Sequence, residues 1–270
     1  GDVKLSDPVF AFHPINWKNI VQGSTNMEQA MANKDELNKV IELSKNMGAD
    51  TFVVDDFDAY FHGDFYTTAP EASFDDNSIK IPNDFHFKMS SNTFLRNYPS
   101  NNPAPRLIGI YKGYNITVSG GTLVGDKYTH DYSPVNDWLG VPRNNHANGS
   151  LLFIAGGDTV LVENVNMIEG TSDSIGIGGS TIRNPDGSLR ENEITTTNII
   201  IRGCTLRDCR RNGISVIDTE GLLIEGNTIS DTGGPRDNPD ANGANPQFGI
   251  DLEAYRERDE NNQLIEYERV

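Results

Sequence analysis

The sequence predicts an all-β fold, a right-handed parallel β-helix (β-solenoid) with a capping helix near the N-terminus. Two observations predict it: two families of short strand-like segments recur in the same order, and one helix-like segment precedes them. Short apolar strands that recur with Gly or Asn at the corners are typical of β-solenoids, in which each repeat buries its apolar side chains by stacking on its neighbours.

The first strand family has four members, which share a pattern of alternating apolar residues followed by Gly or Asn. They read NITVSGGTLVGD, TVLVENVNMIEG, NIIIRGCTLRDC and GLLIEGNTISDT. Their equivalent residues Ile116, Val160, Ile199 and Leu222 are separated by 44, 39 and 23 residues. The shortest spacing is about one coil of a β-helix, so the longer two indicate coils with inserted loops. We also expect the corner side chains of Asn164 and Asn227 to form amide ladders.

The second strand family follows the first in each coil. Its members are GSLLFIAGG (149–157), DSIGIGGS (173–180), NGISVIDTE (212–220) and FGIDLEAY (248–255). Successive side chains of a strand point to opposite faces of a sheet. If the isoleucines at 175, 214 and 250 point inward, two rows of residues face outward. These rows are Gly176, Ser215 and Asp251, and then Gly178, Ile217 and Glu253.

The segment 33–48 has the pattern of a helix. Asn33 is placed to cap it, Glu36 follows three residues later, and Gly48 is a stop signal. The apolar side of this helix is expected to cover the open end of the solenoid; it consists of Leu37, Val40, Ile41 and Met47.

These elements divide the chain into an N-terminal segment with the capping helix (1–76) and a parallel β-helix (77–270). Residues 77–98 are expected to form the first coils. The sequence ends where the next strand of the first family would begin, which predicts that C-terminal coils and a cap are missing. We therefore expect that end of the solenoid to contact either a further domain or a second copy of the chain.

The charge balance excludes some classes of partner. The chain of 270 residues has 39 Asp and Glu against 22 Lys and Arg, a net charge of −17. A field of this sign repels nucleic acid and anionic membranes, and no apolar run is long enough to span a bilayer. Cys204 and Cys209 have no neighbouring ligand cluster and are expected to be buried thiols.

Several motifs resemble the pectin-lyase-like superfamily, over about residues 77–255. SIKIPNDFHFKM followed by NITVSGGTLVGD is similar to its opening coils, and CRRNGISVIDTE with FGIDLEAY resembles a bacterial and phage pattern of Gly-Ile-Ser-Val followed by Gly-Ile-Asp-Ile-Glu-Pro. Here Leu252 replaces the second Ile and Ala254 the Pro. Ser172 and Ser174 replace two glycines of the related Gly-Asp-Gly-Ile motif. The superfamily includes polysaccharide lyases, polygalacturonase-type hydrolases, epimerases and tailspikes, so the resemblance implies a secreted, periplasmic or cell-surface protein acting on polysaccharide.

Charged residues of three consecutive coils are expected to meet at one edge of the second strand family. The candidate catalytic residues are Asp173, Arg211, Asp251 and Glu253, with Arg210 beside them as a substrate-binding residue. Asp173 also recurs in the related pattern. The glycines of coil 173–180 are expected to leave room for a sugar ring.

This set of side chains suits two kinds of polysaccharide chemistry. A glycoside hydrolase needs one protonated and one ionised carboxyl group. A lyase or epimerase needs Arg or Ca²⁺ to neutralise a sugar carboxylate, and a base. No cofactor is required by the first mechanism, whereas Asp251 and Glu253 have the oxygen ligands that Ca²⁺ prefers. The acidic balance favours hydrolysis.

The long insertion at 125–148 offers further substrate-binding candidates. These are His130, Tyr132, Trp138 and His146, since long loops often build binding walls and aromatic rings stack on sugars.

Each candidate also has a purely structural interpretation. The acids can be solvated carboxylates on an outer face, and the two arginines a corner pair that forms ion pairs. The histidines can be ordinary loop residues, and the aromatic rings can pack over the solenoid. The predicted function is therefore cleavage of an extracellular polysaccharide by a glycoside hydrolase or a polysaccharide lyase. The alternative is a non-catalytic glycan-binding or structural β-helix module of a surface or spike protein.

Overall fold

In the computed structural model, strands dominate and one long helix precedes most of them. The structure describes residue 5 and residues 7–63, 77–136, 142–143, 145–179, 194–234, 243–253, 256–258 and 264–267. The helices are a short 3-10 turn, Pro14–Asn16, and α1, Met27–Asn46.

The strands are, in chain order, β1 (Val9–Phe12), β2 (Thr51–Val54), β3 (Asp58–Phe61), β4 (Ile79–Lys80), β5 (Phe85–Asn97), β6 (Arg106–Tyr111), β7 (Tyr114–Val124), β8 (Val135–Asn136), β9 (Pro142–Arg143), β10 (Ser150–Ala155), β11 (Asp158–Glu163), β12 (Asn166–Ile168), β13 (Asp173–Gly178), β14 (Thr196–Arg202), β15 (Thr205–Arg207), β16 (Ile214–Ile217), β17 (Thr219–Glu225), β18 (Thr228–Ser230), β19 (Ile250–Glu253), β20 (Arg256–Arg258) and β21 (Leu264–Tyr267).

The predicted parallel β-helix is confirmed by two parallel sheets that share one core. Sheet A follows the order β1-β2-β5-β7-β11-β14-β17, with β3, β12, β15 and β18 paired alongside, and sheet B the order β19-β16-β13-β10-β6-β4. Two short antiparallel pairs, β8 with β9 and β20 with β21, lie outside these sheets. From β2 onward, each coil thus contributes strands to both sheets.

The register of sheet A confirms the alignment of the first strand family. Val160 pairs with Ile116 on one side and with Ile199 on the other, and Ile199 pairs with Leu222. Three of these four side chains are buried and Leu222 packs against them. The apolar repeat seen in the sequence is therefore a stacked row in the core.

The predicted amide ladder between Asn164 and Asn227 is wrong. The pairing of Glu163 with Arg202 places Asn164 level with Gly203 in the next coil, and an added Cβ at Gly203 would lie 2.6 Å from the Asn164 Oδ1 atom. The Asn227 amide instead accepts from the Cys204 backbone N–H (2.8 Å). The two asparagines occupy different rows of the corner.

Helix α1 begins earlier than predicted. Asn26, rather than Asn33, caps it, and the Asn26 side chain accepts a hydrogen bond from the Gln29 N–H (2.8 Å). Asn33 lies inside the helix, where its buried amide donates to the backbone carbonyls of Val21 and Tyr60. The helix ends just before Gly48, which has a φ of 94°. Glycine adopts a positive φ without the steric penalty that a Cβ atom would cause, and it commonly ends helices in this way.

The helix covers one end of the core, as expected. Leu37, Val40 and Ile41 are buried in the core, and α1 packs against β3 and β4. Strands β1 to β3 already pair in parallel within sheet A. The parallel sheet therefore extends back to Val9, into the segment assigned from sequence to the N-terminal cap.

Two further expectations can be compared with the described residues. Cys204 and Cys209 are buried free thiols, as predicted. Within the ranges given above, no helix has both the length and the apolar character needed to cross a lipid bilayer.

Candidate functional site

The candidate site lies on the outer face of sheet B, across β13, β16 and β19. The predicted outward row is confirmed by the register, because Gly176 pairs with Ser215 and Ser215 pairs with Asp251. Glu253 pairs with Ile217 in the next row. Neighbouring parallel strands are about 4.8 Å apart, so side chains from three coils come within reach of one another.

Arg211 connects three carboxyl groups at this face. Its Nη1 atom donates to Asp173 Oδ2 (2.9 Å) and its Nη2 atom to Glu253 Oε1 (3.0 Å). Asp251 Oδ2 lies 3.8 Å from the same Nη2 atom. The guanidinium Nε–H donates to the backbone carbonyl of Asn245 (3.1 Å), which fixes the orientation of the planar group. We call Arg211, Asp173, Asp251 and Glu253 the carboxylate cluster.

Asp173 is the most enclosed member of the carboxylate cluster, with 5% of its surface exposed. It accepts hydrogen bonds from the Ser215 hydroxyl (2.8 Å) and from the Asn212 backbone N–H (3.0 Å). Burial raises the pKa of Asp173 to about 6, although the Arg211 charge and these hydrogen bonds lower it. Desolvation is therefore stronger than the favourable contacts.

Asn212 and Ser215 complete the hydrogen bonds around the carboxylate cluster. The Asn212 amide donates to Asp251 Oδ2 (3.0 Å) and to Ser215 Oγ (2.9 Å), and its oxygen accepts from the Phe248 N–H (2.8 Å). Sequence reasoning did not select Asn212 as a site residue. The feature that would have identified Asn212 is its position directly after Arg211 and just before the strand that supplies Ser215.

Glu253 differs from the other acids because its side chain is 41% exposed. Partial burial of the carboxyl group raises the pKa of Glu253, and contact with Asp251 raises it further. The charge of Arg211 and its hydrogen bond lower this pKa. Asp251 itself is buried. The pair thus presents to solvent one carboxyl group with a raised pKa, with a second carboxyl group beneath it.

Substitution Asp173→Asn is expected to remove a pH-dependent loss of stability. Because the pKa of folded Asp173 is raised from 3.8 to about 6, its contribution to stability is fully present below about pH 4 and is lost as the pH rises to about 6. At about 1.4 kcal/mol for each pH unit between the two pKa values, the free energy of unfolding of the wild type should fall by up to about 3 kcal/mol relative to the variant. Chemical denaturation across this range measures the difference.

Asp158→Asn is the matched control for that experiment. Asp158 is an exposed acid whose pKa is lowered by hydrogen bonds from Thr197 and Asn198, so its carboxylate stabilises the fold more as the pH rises. The free energy of unfolding of the wild type should therefore rise with pH relative to that of Asp158→Asn, opposite to the change expected for Asp173→Asn. A flat Asp173→Asn difference would contradict the burial cost assigned to Asp173.

An aromatic surface adjoins the carboxylate cluster on the same face. Phe153 pairs with Gly176, and its ring lies so close to that glycine that an added Cβ would be 2.7 Å from the Phe153 Cδ2 atom. Tyr111 is the neighbouring ring, with 6.0 Å between centroids, and the Arg106 guanidinium lies 3.9 Å from the centre of the Phe153 ring. The space above Gly176, expected to hold a sugar ring, is thus occupied by Phe153.

A groove continues this face toward the N-terminal end. It has a cavity volume of about 690 Å³ and lies between α1 and the first strands of sheet B, within the range typical of ligand sites. Its lining includes Tyr111 and three lysines, Lys39, Lys45 and Lys80. The groove and the carboxylate cluster therefore lie on one outer face, with Tyr111 and Phe153 between them.

Arg210 points away from the carboxylate cluster. It is buried, donates to the backbone carbonyls of Asn145 (2.8 Å) and His146 (3.2 Å), and stacks on the Tyr132 ring at 4.3 Å. Burial lowers the pKa of its guanidinium. Arg210 thus holds the insertion rather than lining the open face.

His130 and His146 are also internal. Both are buried and are joined to each other by a hydrogen bond of 2.8 Å. Direct substrate contact by either ring would require the insertion to open. Tyr132 packs against both rings, and burial raises the pKa of its phenol. Trp138 lies outside the described residues.

Calcium binding at Asp251 and Glu253 stays a prediction. Among the residues that the structure describes, no group of three or more His, Cys, Asp and Glu side chains is arranged to hold a metal ion. At Asp251 and Glu253 the Arg211 guanidinium already provides a positive charge between the carboxyl groups.

No known family profile matches the chain. Two proteins of Bacillus subtilis (strain 168) are similar to it: the SPbeta prophage-derived protein YorA, 31% identical over 179 residues, and YclG, 31% identical over 183 residues. The matches cover 66% and 67% of this chain but 28% of each relative.

Among solved structures, the chain is similar to a Parabacteroides merdae protein provisionally described as a glycosyl hydrolase. The TM-score is 0.55 at 11% identity, over 90% of this chain and 93% of that one. PfbA, a surface adhesin of Streptococcus pneumoniae, has a TM-score of 0.41 at 11% identity, over 81% of this chain and 62% of that one. At this identity, the likeness to the Parabacteroides merdae structure concerns the fold, and that fold is β-helix-like.

Proposed function

We propose that this chain forms the catalytic region of a glycoside hydrolase that acts on an extracellular polysaccharide. The observation that carries the proposal is that one guanidinium, that of Arg211, contacts three carboxyl groups, one from the coil before its own and two from the coil after it. Hydrolysis of a glycosidic bond needs two carboxyl groups in different protonation states. Burial raises the pKa of Asp173 to about 6, and burial and contact with Asp251 raise the pKa of Glu253, which supports the presence of a proton-donating group in this cluster.

Roles can be assigned from exposure and hydrogen bonding. Glu253 is the general acid, because its carboxyl group is exposed and its pKa is raised. Asp251 is the second carboxyl group of the pair, held by the Asn212 amide at 3.0 Å. Asp173 and Arg211 position these two acids; Arg211 also limits how far the pKa of Glu253 rises.

The guanidinium groups of Arg210 and Arg211 are already bonded within the protein, which favours hydrolysis over elimination. A lyase acting on a uronate needs a cation that is free to neutralise the sugar carboxylate. Arg211 is already bonded to protein carboxylates, and Arg210 is buried on backbone carbonyls. Neither guanidinium is presented to the outer face in the manner that a lyase requires.

The substrate would lie along sheet B. Tyr111 offers a ring surface of the kind that stacks on sugars, and the groove beside α1, which Tyr111 helps to line, extends the same face. A polysaccharide substrate implies a secreted, periplasmic or cell-surface location. Membership of the pectin-lyase-like superfamily is part of this proposal. These features also suit a non-catalytic glycan-binding module, which is the second candidate function.

A polysaccharide panel tests the proposal. Digests are read by new reducing ends and by the ultraviolet absorbance of unsaturated uronate, with and without Ca²⁺. We expect reducing ends without absorbance, and no requirement for Ca²⁺. Absorbance would replace the hydrolase with a lyase, and binding without cleavage across the panel would favour the glycan-binding module.

A further inference from the structure

The insertion that follows β7 contains a buried chain of titratable groups. Asp126 Oδ2 lies 2.7 Å from His130 Nδ1, His130 Nε2 lies 2.8 Å from His146 Nδ1, and His146 Nε2 lies 3.0 Å from the Ser133 carbonyl oxygen. Asp126, His130 and His146 are all buried. Each separation is a hydrogen-bond distance. We call these three side chains the Asp–His–His chain.

The number of protons in this chain follows from its acceptors. The Ser133 carbonyl can only accept, so the facing nitrogen of His146 must carry a proton. Each of the other two contacts also needs one proton between its atoms. The three contacts therefore need three protons, whereas an ionised carboxyl group with two neutral imidazoles carries two. One additional proton is required, whichever of the groups holds it.

The surroundings place this proton on His130. Asp126 accepts from the Ser100 N–H (3.2 Å) and from the Thr171 hydroxyl as well as from His130, which suits an ionised carboxylate. His146 is less suited to a positive charge, because burial and the neighbouring His130 and Arg210 lower its pKa.

Three further charged or titratable neighbours of the two imidazoles lie among the residues that the structure describes. Exposed Asp131 favours a positive charge on His146, Tyr132 packs on both imidazoles as a neutral ring, and Arg210 opposes any positive charge beside it. Charge pairing inside the chain is therefore the main source of stabilisation for a His130 cation.

We propose that the Asp–His–His chain retains this third proton at neutral pH, as a His130 imidazolium paired with the Asp126 carboxylate, and thereby positions the insertion against the carboxylate cluster. Thr171 is tied to Asp126, and the Ser172 hydroxyl donates to the Ala147 carbonyl (2.7 Å). The His146 carbonyl accepts from Arg210. Residues 171–172 directly precede Asp173, and Arg210 directly precedes Arg211.

Nitrogen-15 NMR of labelled histidines tests the proton itself, without any substrate. At about pH 8 only about 3% of an unperturbed imidazole is protonated. We expect both His130 nitrogens to be protonated at this pH and His146 to be neutral with its proton on Nε2. Exposed His13 gives a reference signal in the same sample, and His130→Gln and His146→Gln assign the resonances. A neutral His130 ring at about pH 8 would overturn the proposal.

Asp126→Asn and Asp131→Asn test the pairing as a matched set from one loop. Asp126→Asn should abolish the His130 imidazolium signal at about pH 8, whereas exposed Asp131→Asn should keep it. Persistence of the signal in Asp126→Asn would contradict the pairing.

The positioning role rests on the proposed function and is measured separately. Misplacement of a site by about 1 Å can cost about 100-fold in rate, so we expect Asp126→Asn to lower kcat by up to about 100-fold in protein that circular dichroism shows to be folded. Wild-type kcat in an Asp126→Asn protein that has lost the proton would refute positioning. A wild-type protein that cleaves no polysaccharide would instead refute the proposed function and leave the NMR result standing.

Discussion

Replacing Arg211 with methionine is expected to lower the free energy of unfolding at pH 7 by about 3–5 kcal/mol, as is typical when one partner of a buried ion pair is removed. The substitution keeps much of the side-chain volume but leaves Asp173 and Asp251, both buried, without their cation. Lowering the pH toward about 5 should recover part of the loss, because protonation removes the uncompensated charges. Denaturant unfolding at both pH values measures this.

Arg202→Met is the control for that substitution. Arg202 bridges Glu163 and Glu225 on the outer face of sheet A, but its side chain is 47% exposed, against 17% for Arg211. Exposed ion pairs contribute about 0–1 kcal/mol, so this variant should be close to the wild type. Equal effects of the two substitutions would contradict the central role given to Arg211.

Glu253→Gln is expected to lower the rate of polysaccharide cleavage by about 10²–10⁴-fold, the usual contribution of a general acid. Glutamine keeps the shape of the side chain and its hydrogen bond from Arg211 but cannot donate a proton to a leaving oxygen. Since the side chain is 41% exposed, the fold should be retained. Initial rates at the wild-type pH optimum measure the effect.

Glu220→Gln provides the matched control, because Glu220 is an exposed glutamate of β17, on the other sheet. Its rate should equal that of the wild type. A Glu253→Gln rate within about threefold of the wild type, well below the contribution of a general acid, would remove Glu253 from the catalytic role.

Much of the fold was predictable because the solenoid repeats its physical requirements in every coil. Alternation placed Ile175 and Ile214 inward and Ser215 and Asp251 outward, and the register confirms both rows. The helix start was mistaken because Asn26 and Asn33 both have the sequence context of a cap. Only the tertiary contacts of Asn33, with two backbone segments, distinguish them.

The candidate site was predictable only in part. Its acids and Arg211 followed from strand rows, since residues of one row must be neighbours in space. The burial of Arg210 and the hydrogen bond between His130 and His146 depend on how the insertion folds over the sheet, and no repeat in the sequence determines that. The position of Phe153 over Gly176 has the same origin, because a glycine predicts open space only when no neighbouring ring fills it.

The most direct test of the central claim is time-resolved proton NMR of a polysaccharide digested by the wild type, by Glu253→Gln and by Glu220→Gln. The account predicts anomeric signals of new reducing ends with the wild type and Glu220→Gln, and none above background with Glu253→Gln. Vinyl signals of an unsaturated sugar, or equal cleavage by all three proteins, would contradict hydrolysis at the carboxylate cluster.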